Sequence, residues 1–166
     1  MLKALGVAEH GRCLRGARGF TLVEGLVVLV IIAVLALFGL PQLFRMLARS
    51  QLEQTARQTQ VLLHKARHQA IRLQVPTVVR PDGTTIVGFV DQNEDRIRDA
   101  GEESVGQVSL ASQVIMAEPP AAVSFASNGS ADFEGGVTDF GFSNERGEAV
   151  LVRVKVTGLT EMIRSW

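Results

Sequence analysis

Three groups of side chains in this 166-residue chain have types and spacings that could do chemistry. The first is one carboxylate, Glu24, at the head of a run that carries nothing charged or polar from Gly25 to Leu40. An unpaired acid entering a bilayer costs roughly 2.5–3.5 kcal/mol on insertion scales, so an acid placed there is expected to meet a partner. The second is the stretch Asp91-Gln92-Asn93-Glu94-Asp95-Arg96-Ile97-Arg98-Asp99-Ala100-Gly101-Glu102. With Asp91 as position 1, oxygen-bearing side chains fall at positions 1, 3, 5, 9 and 12: Asp91, Asn93, Asp95, Asp99 and Glu102. That is the ligand spacing of a calcium-binding loop. Arg96 stands where such loops place glycine for a sharp turn, Arg98 follows, and the flanks read as strands. The same acids and amide therefore also suit an acidic hairpin loop in which they only form turns. The third group is His64 and His68, four apart on a helix. Two such imidazoles can grip a metal together. Lys65 and Arg67 repel a cation and no carboxylate completes the pair, so a solvated helix face is expected.

No catalytic set appears. Ser127, Ser130 and Ser143 lack a Gly-x-Ser-x-Gly setting, and the histidines after His10 are confined to one helix. The pieces SNGS, EGG and ERGE are turn chemistry, not a phosphate-binding loop. An enzyme is not expected.

The elements that must position these residues change along the chain. The apolar run from Phe20 to Leu40 nearly spans a hydrocarbon core of ~30 Å at a rise of ~1.5 Å per residue. It is longer than the ~7–15 residues of a secretory h-region, so it is expected to stay in the mature protein. Lys3, Arg12, Arg15 and Arg18 precede it against a single Glu9, which predicts a cytoplasmic N-terminus. Residues 1–19 hold four of the 17 basic and one of the 17 acidic residues, leaving a net charge of about −3 on the remainder. The lone cysteine, Cys13, lies in that basic segment, and the rest of the chain needs no disulfide.

Beyond Pro41 no Gly or Pro occurs until Pro76. Apolar residues recur at Leu43, Met46/Leu47, Val61 to Leu63, Ala66, Ala70/Ile71 and Leu73, the spacing of one helix face. The middle, Ser50 to Gln60, is poorer in apolar groups and is expected to contact little of its own chain. The reading is one helix of about fifty residues, ~75 Å if straight, kinked where Pro41 removes a hydrogen bond and Gly39 loosens the turn. After Pro76 come short β-branched runs: Thr77–Arg80, Thr84–Val90, Val105–Leu110, Val114–Glu118, Ala122–Ala126, Val137–Phe142 and Ala149–Thr157, punctuated by turn residues. The fold class is α+β. A long N-terminal helix, transmembrane over 20–41 and amphipathic over 42–75, packs against an antiparallel β-rich head over 76–166.

The residues Gly19-Phe20-Thr21-Leu22-Val23-Glu24 resemble the prepilin cleavage and methylation site of type IV pilins and type II secretion pseudopilins. A basic leader (residues 1–19) ends in glycine, and an uninterrupted apolar helix follows with a proline where that family kinks. The resemblance implies that a prepilin peptidase cuts between Gly19 and Phe20 on the cytoplasmic side and that Phe20 is N-methylated. It also implies that Glu24 neutralises the new α-amino group of a neighbouring subunit as it enters a filament. Val123-Ser124-Phe125-Ala126-Ser127-Asn128-Gly129, Phe140-Gly141-Phe142 and a closing strand Ala149–Thr157 leading to Gly158 are similar to the head of the GspH/FimT subgroup of minor pseudopilins and minor pilins.

That subgroup implies a minor pseudopilin of a type II secretion system, a single-pass inner-membrane protein with a periplasmic head. Its partners would be other pilin or pseudopilin subunits, the prepilin peptidase and an inner-membrane assembly platform. The alternative is a FimT-like minor pilin of type IV pili, serving pilus assembly or DNA uptake. Nucleic acid is not expected as a partner: Arg153, Lys155 and Arg164 are spread around Glu161 in the tail, and phosphate binding draws on clustered cations. No cofactor is expected apart from calcium at the 91–102 loop.

Overall fold

The computed structural model describes residues 20–117, 122–133 and 139–165. The expected leader, with Gly19, lies outside the described residues, as do the expected turn at Glu118-Pro119-Pro120 and the start of the run at Val137.

Helix α1 runs Leu22–Leu73, 52 residues. It begins where Thr21 can cap it and ends where Gln74 turns left-handed (φ 59°). There the Gln74 amide donates back to the Ile71 carbonyl at 2.7 Å, and Pro76 prevents the helix from resuming. Pro41 lies inside α1, with helical backbone on both sides. The chain divides at that proline into two compact units, Met1–Pro41 and Gln42–Trp166.

In the first unit the described residues are helical and apolar. Every large apolar side chain from Phe20 to Leu40 is at least 43% exposed. This part of α1 is long and apolar enough to cross a membrane.

The second unit holds the rest of α1 and the strands. β1 is Thr77–Asp82, β2 Thr85–Val90, β3 Ser104–Ser109, β4 Val114–Ala117, β5 Val123–Phe125, β6 Ala131–Phe133, β7 Asp139–Asn144, β8 Ala149–Val154 and β9 Thr160–Ser165. They form two sheets, in the order β3-β2-β1-β5-β6 and β4-β7-β8-β9. All pairings between strands are antiparallel.

The first hairpin turns one residue later than its Pro-Asp-Gly sequence suggests. Pro81 and Asp82 stay in β1, opposite Ile86 and Thr85, and Gly83-Thr84 makes the two-residue loop. Pro81 is tolerated because β5 pairs with β1 only over Thr77 to Val79, so no partner there needs the missing N–H. Two strands, β6 and β9, were not legible beforehand. β6 has three residues, and β9 is a largely exposed edge strand with little alternation to read. It is β9, not the run ending at Thr157, that closes the head.

One core cluster joins Leu52, Ala56, Leu63, Ala66 and Ala70 of α1 to Val79, Ile86 and Phe125 of the first sheet and to Phe140, Phe142 and Val152 of the second. Alternation along β1 and β2 sends Val78, Val87 and Phe89 to a smaller cluster with Ala122. The segment Ser50 to Gln60 corrects the sequence expectation. Leu52, Thr55, Ala56 and Thr59 are all buried. The threonines can go inside because each hydroxyl is satisfied within the helix: Thr55 donates to the Gln51 carbonyl at 3.0 Å and Thr59 to the Thr55 carbonyl at 2.9 Å. Alanines at 48, 56, 66 and 70 let strands approach the helix closely, so burial there needs little side-chain volume.

Candidate functional site

At the start of α1 the chemistry is that of a capped helix with one acid. The Thr21 hydroxyl accepts the Glu24 N–H at 3.2 Å, and the Thr21 carbonyl accepts the Gly25 N–H at 3.1 Å. Thr21 and Glu24 stand at the Thr-x-x-Glu spacing of a capping box, a local signal for the start of α1. Glu24 is exposed and forms no ion pair among the described residues. Phe20 beside it is 75% exposed, and the apolar side chains that follow cover the helix on all sides. Gly39 and Pro41 stand at the far end of this apolar segment, and nothing stands within 4 Å of where a Gly39 Cβ would be.

The second candidate, residues 91–102, links β2 to β3. Its base is closed by the Val90 N–H donating to the Glu103 carbonyl at 2.9 Å. Inside, side-chain oxygens cap backbone amides. Asp91 Oδ2 accepts the Arg96 N–H at 3.0 Å, and Asp95 Oδ1 accepts that of Ile97 at 2.7 Å. Glu102 accepts those of Gln92 and Asp99 at 3.1 and 2.9 Å. The Asn93 amide donates to both Asp95 and Asp99 at 3.0 Å. Arg96 makes the sharp turn itself, at φ 61°, while its guanidinium leaves the loop to pair with Asp132. No three His, Cys, Asp or Glu side chains among the described residues already stand together as a metal cage.

His64 and His68 are not brought together as ligands. His64 Nε2 lies 3.0 Å from the Thr160 hydroxyl of β9, which also accepts from Gln60 at 3.0 Å, and His68 is exposed. The tail cations face carboxylates: Arg153 pairs with Asp139 at 2.9 Å, Lys155 with Glu161 at 3.0 Å and Arg164 with Glu53 at 3.7 Å. The bidentate Asp139 contact holds the Arg153 guanidinium above its usual pKa. A phosphate would have to compete with all three pairs. A groove of about 810 Å³ runs between α1 and the edge strand β3, lined by Glu53, Arg57, Val61, Lys65 and Gln107 among others.

Sequence reasoning missed one further node. Arg67 of α1 donates through Nε to the Gly129 carbonyl at 3.0 Å. Gly129 (φ 79°) turns the β5–β6 hairpin and Gly158 (φ 74°) turns β8–β9. A Cβ on Gly158 would strike the Gly129 carbonyl oxygen and come within 2.7 Å of Arg67 Nε. The Ala131 N–H donates to the Val156 carbonyl at 2.8 Å, so the two sheets meet here under one helix residue. Only the glycines, in SNGS and TGL, hinted at it.

The family described as Type II transport protein GspH matches residues 55–159, and the Prokaryotic N-terminal methylation motif matches residues 14–40. Among solved structures, the fold is similar to the minor pseudopilin EpsH from the Type 2 Secretion System of Vibrio cholerae. That similarity has a TM-score of 0.50 and 13% identity, over 69% of this chain and 97% of that one. It is also similar to the type IV minor pilin FimU of Pseudomonas aeruginosa, with a TM-score of 0.50 and 12% identity over 69% of this chain and 90% of that one. No curated protein sequence matches the chain.

Proposed function

Because the chain belongs to the GspH family of type II transport proteins, and is thus a minor subunit of the pilin and pseudopilin class, we propose that it serves a type II secretion system as a minor pseudopilin. In this reading a prepilin peptidase cleaves after Gly19 and Phe20 receives the N-methyl group. The apolar part of α1 anchors the subunit in the inner membrane, its N-terminus on the cytoplasmic side and its head in the periplasm. An assembly platform then draws it into a filament. Pro41 and Gly39 let the helix bend as it packs there. The protein acts by assembling, not by catalysing.

The observation that carries this reading is Glu24. It is exposed, it heads a helix whose apolar residues are exposed all round, and it has no ion partner among the described residues. Cleavage after Gly19 creates an α-amino group four residues away. The amine of a neighbouring subunit fits, since each charge would be costly alone in an apolar bundle. Such a pair also sets axial register between helices.

The test is deletion of the gene in its host. Loss of specific exoproteins from the medium, with surface pili intact, is the expected result. An unchanged secretome with lost pili moves the function to the second reading, a minor pilin of type IV pili. The fold likeness to FimU supports that alternative as strongly as the EpsH likeness supports the first.

A further inference from the structure

Asp91 is the one acid among the described residues with a buried side-chain oxygen that no donor reaches. It directly follows β2 and is 1% exposed, and its N–H donates to the Pro76 carbonyl at 2.8 Å. Its carboxylate turns into the loop that follows, where Oδ2 accepts the Arg96 N–H. The other oxygen, Oδ1, is buried and accepts no hydrogen bond. A buried carboxylate oxygen without a donor is one of the costlier arrangements in a protein, and a cation relieves it.

We propose that the loop between β2 and β3 binds calcium, with Asp91 Oδ1 as its first ligand and Asn93, Asp95, Asp99 and Glu102 as the others. The Asn93 amide already shows where positive charge is wanted. Its Nδ2 stands 3.0 Å from Asp95 Oδ2 and 3.0 Å from Asp99 Oδ2, bridging two carboxylates. Turning that amide over presents Oδ1 in place of the N–H₂ and frees both acids for a shared cation. The two arginines do not oppose this. Arg96 turns the chain at positive φ, as position 6 requires, while its charge is spent on Asp132 outside the loop; Arg98 is exposed.

Binding closes the site rather than filling a finished one. Glu102 must exchange its N–H contacts with Gln92 and Asp99 for the ion, and Asn93 must turn. A flexible, all-oxygen set with carboxylates suits calcium, whereas magnesium demands a near-ideal octahedron and sheds water reluctantly. The consequence is a β2–β3 connection that is fixed only when calcium is present.

The experiment uses the full chain in detergent micelles, stripped with EDTA and titrated with CaCl₂. Thermal unfolding and amide hydrogen exchange are read in parallel. The expected result is saturable binding at roughly 0.1–1 mM, the range of extracellular calcium modules, a rise of several degrees in Tm, and slowed exchange at Arg96 and Ile97. Glu102→Gln should weaken binding about tenfold or more, and Asn93→Asp should tighten it, since ligand charge tunes affinity. Both residues are solvent-accessible, so neither variant should unfold the chain in EDTA. A flat wild-type titration overturns the proposal. So does an equal response to MgCl₂, or a Glu102→Gln chain that binds calcium like the wild type.

Discussion

The two halves of α1 invert the usual relation between hydrophobicity and burial. Before Pro41 the side chains are the most apolar in the protein, and all the large ones are exposed, Leu22 at 85% and Phe38 at 75%. After Pro41 the helix is mixed in composition, and what it buries is mostly small: Ala48, Thr55, Ala56, Thr59, Ala66 and Ala70, with Leu52, Leu62 and Leu63. The second half has found its partner in the head. In the first every large apolar side chain is exposed, a surface suited to lipid or to other subunits. Hydrophobicity along the helix therefore reports where a partner comes from, not how much of the residue the fold hides.

The strongest way to break that comparison is at Glu24, the one charge in the exposed half of α1, for which we propose a partner in a neighbouring subunit. Removing one member of a buried ion pair costs about 3–5 kcal/mol, because the other is left uncompensated. Glu24→Gln should therefore lower incorporation into filaments by more than about a hundredfold, while the head keeps its stability. The measurement is the fraction of subunit recovered in sheared filaments against that left in membranes. Wild-type incorporation of Glu24→Gln would remove the pairing argument altogether.

A matched pair of truncations tests the inversion itself. Leu63→Ala opens a cavity where α1 meets both sheets and should destabilise the head by about 2–5 kcal/mol. Leu35→Ala, at 67% exposure in the other half, should leave denaturant unfolding of the head within about 0.5 kcal/mol of wild type. Equal costs at the two sites would mean that the halves are not distinct in the way their exposure indicates.

What could be read in the sequence was local. The apolar run, the single acid, the end of the helix before Pro76 and most strands follow from patterns within a few residues. The buried middle of α1 was not readable in this way, because Thr55 and Thr59 look polar until their hydroxyls are seen bonded to the preceding turn. The 91–102 spacing was legible, but the objection raised by Arg96 was not answerable from sequence. Its guanidinium is taken by Asp132, a residue 36 positions away. The Arg67 node was equally hidden, since it joins a helix residue to turns in two different sheets.

That node sharpens the comparison at smaller amplitude. Gly158→Ala places a methyl against the Gly129 carbonyl and Arg67 at a positive φ, so the two turns must separate. We expect a loss of about 1–3 kcal/mol in head stability. Gly39→Ala, with nothing within 4 Å, should cost the head nothing measurable by the same denaturation assay. If Gly158→Ala were neutral, the two sheets would not be pinned at Arg67.

The smallest expected effect is electrostatic and belongs to the second half alone. Arg49 of α1 reaches Glu148, at the β7–β8 turn, at 2.6 Å, and the Asn144 amide donates to the same carboxylate at 2.8 Å. The Asn144 hydrogen bond, followed by that of Arg49, holds the Glu148 carboxyl below its ordinary pKa of 4.5. A carboxyl depressed in the folded state binds its proton more readily when unfolded. Its contribution is therefore present above about pH 4.5 and is lost as pH falls through the lowered value. Arg49 is half exposed, so the pair is worth only about 0.2–1 kcal/mol. Glu148→Gln should accordingly be less stable than wild type at pH 7 by that amount, and the gap should narrow as pH falls below about 4.5 in parallel denaturant titrations. A gap that did not narrow with falling pH would assign the effect to the shape of the turn rather than to charge. In that case the geometry of the β7–β8 turn, and not the charge on Glu148, would set how firmly the hairpin holds the helix.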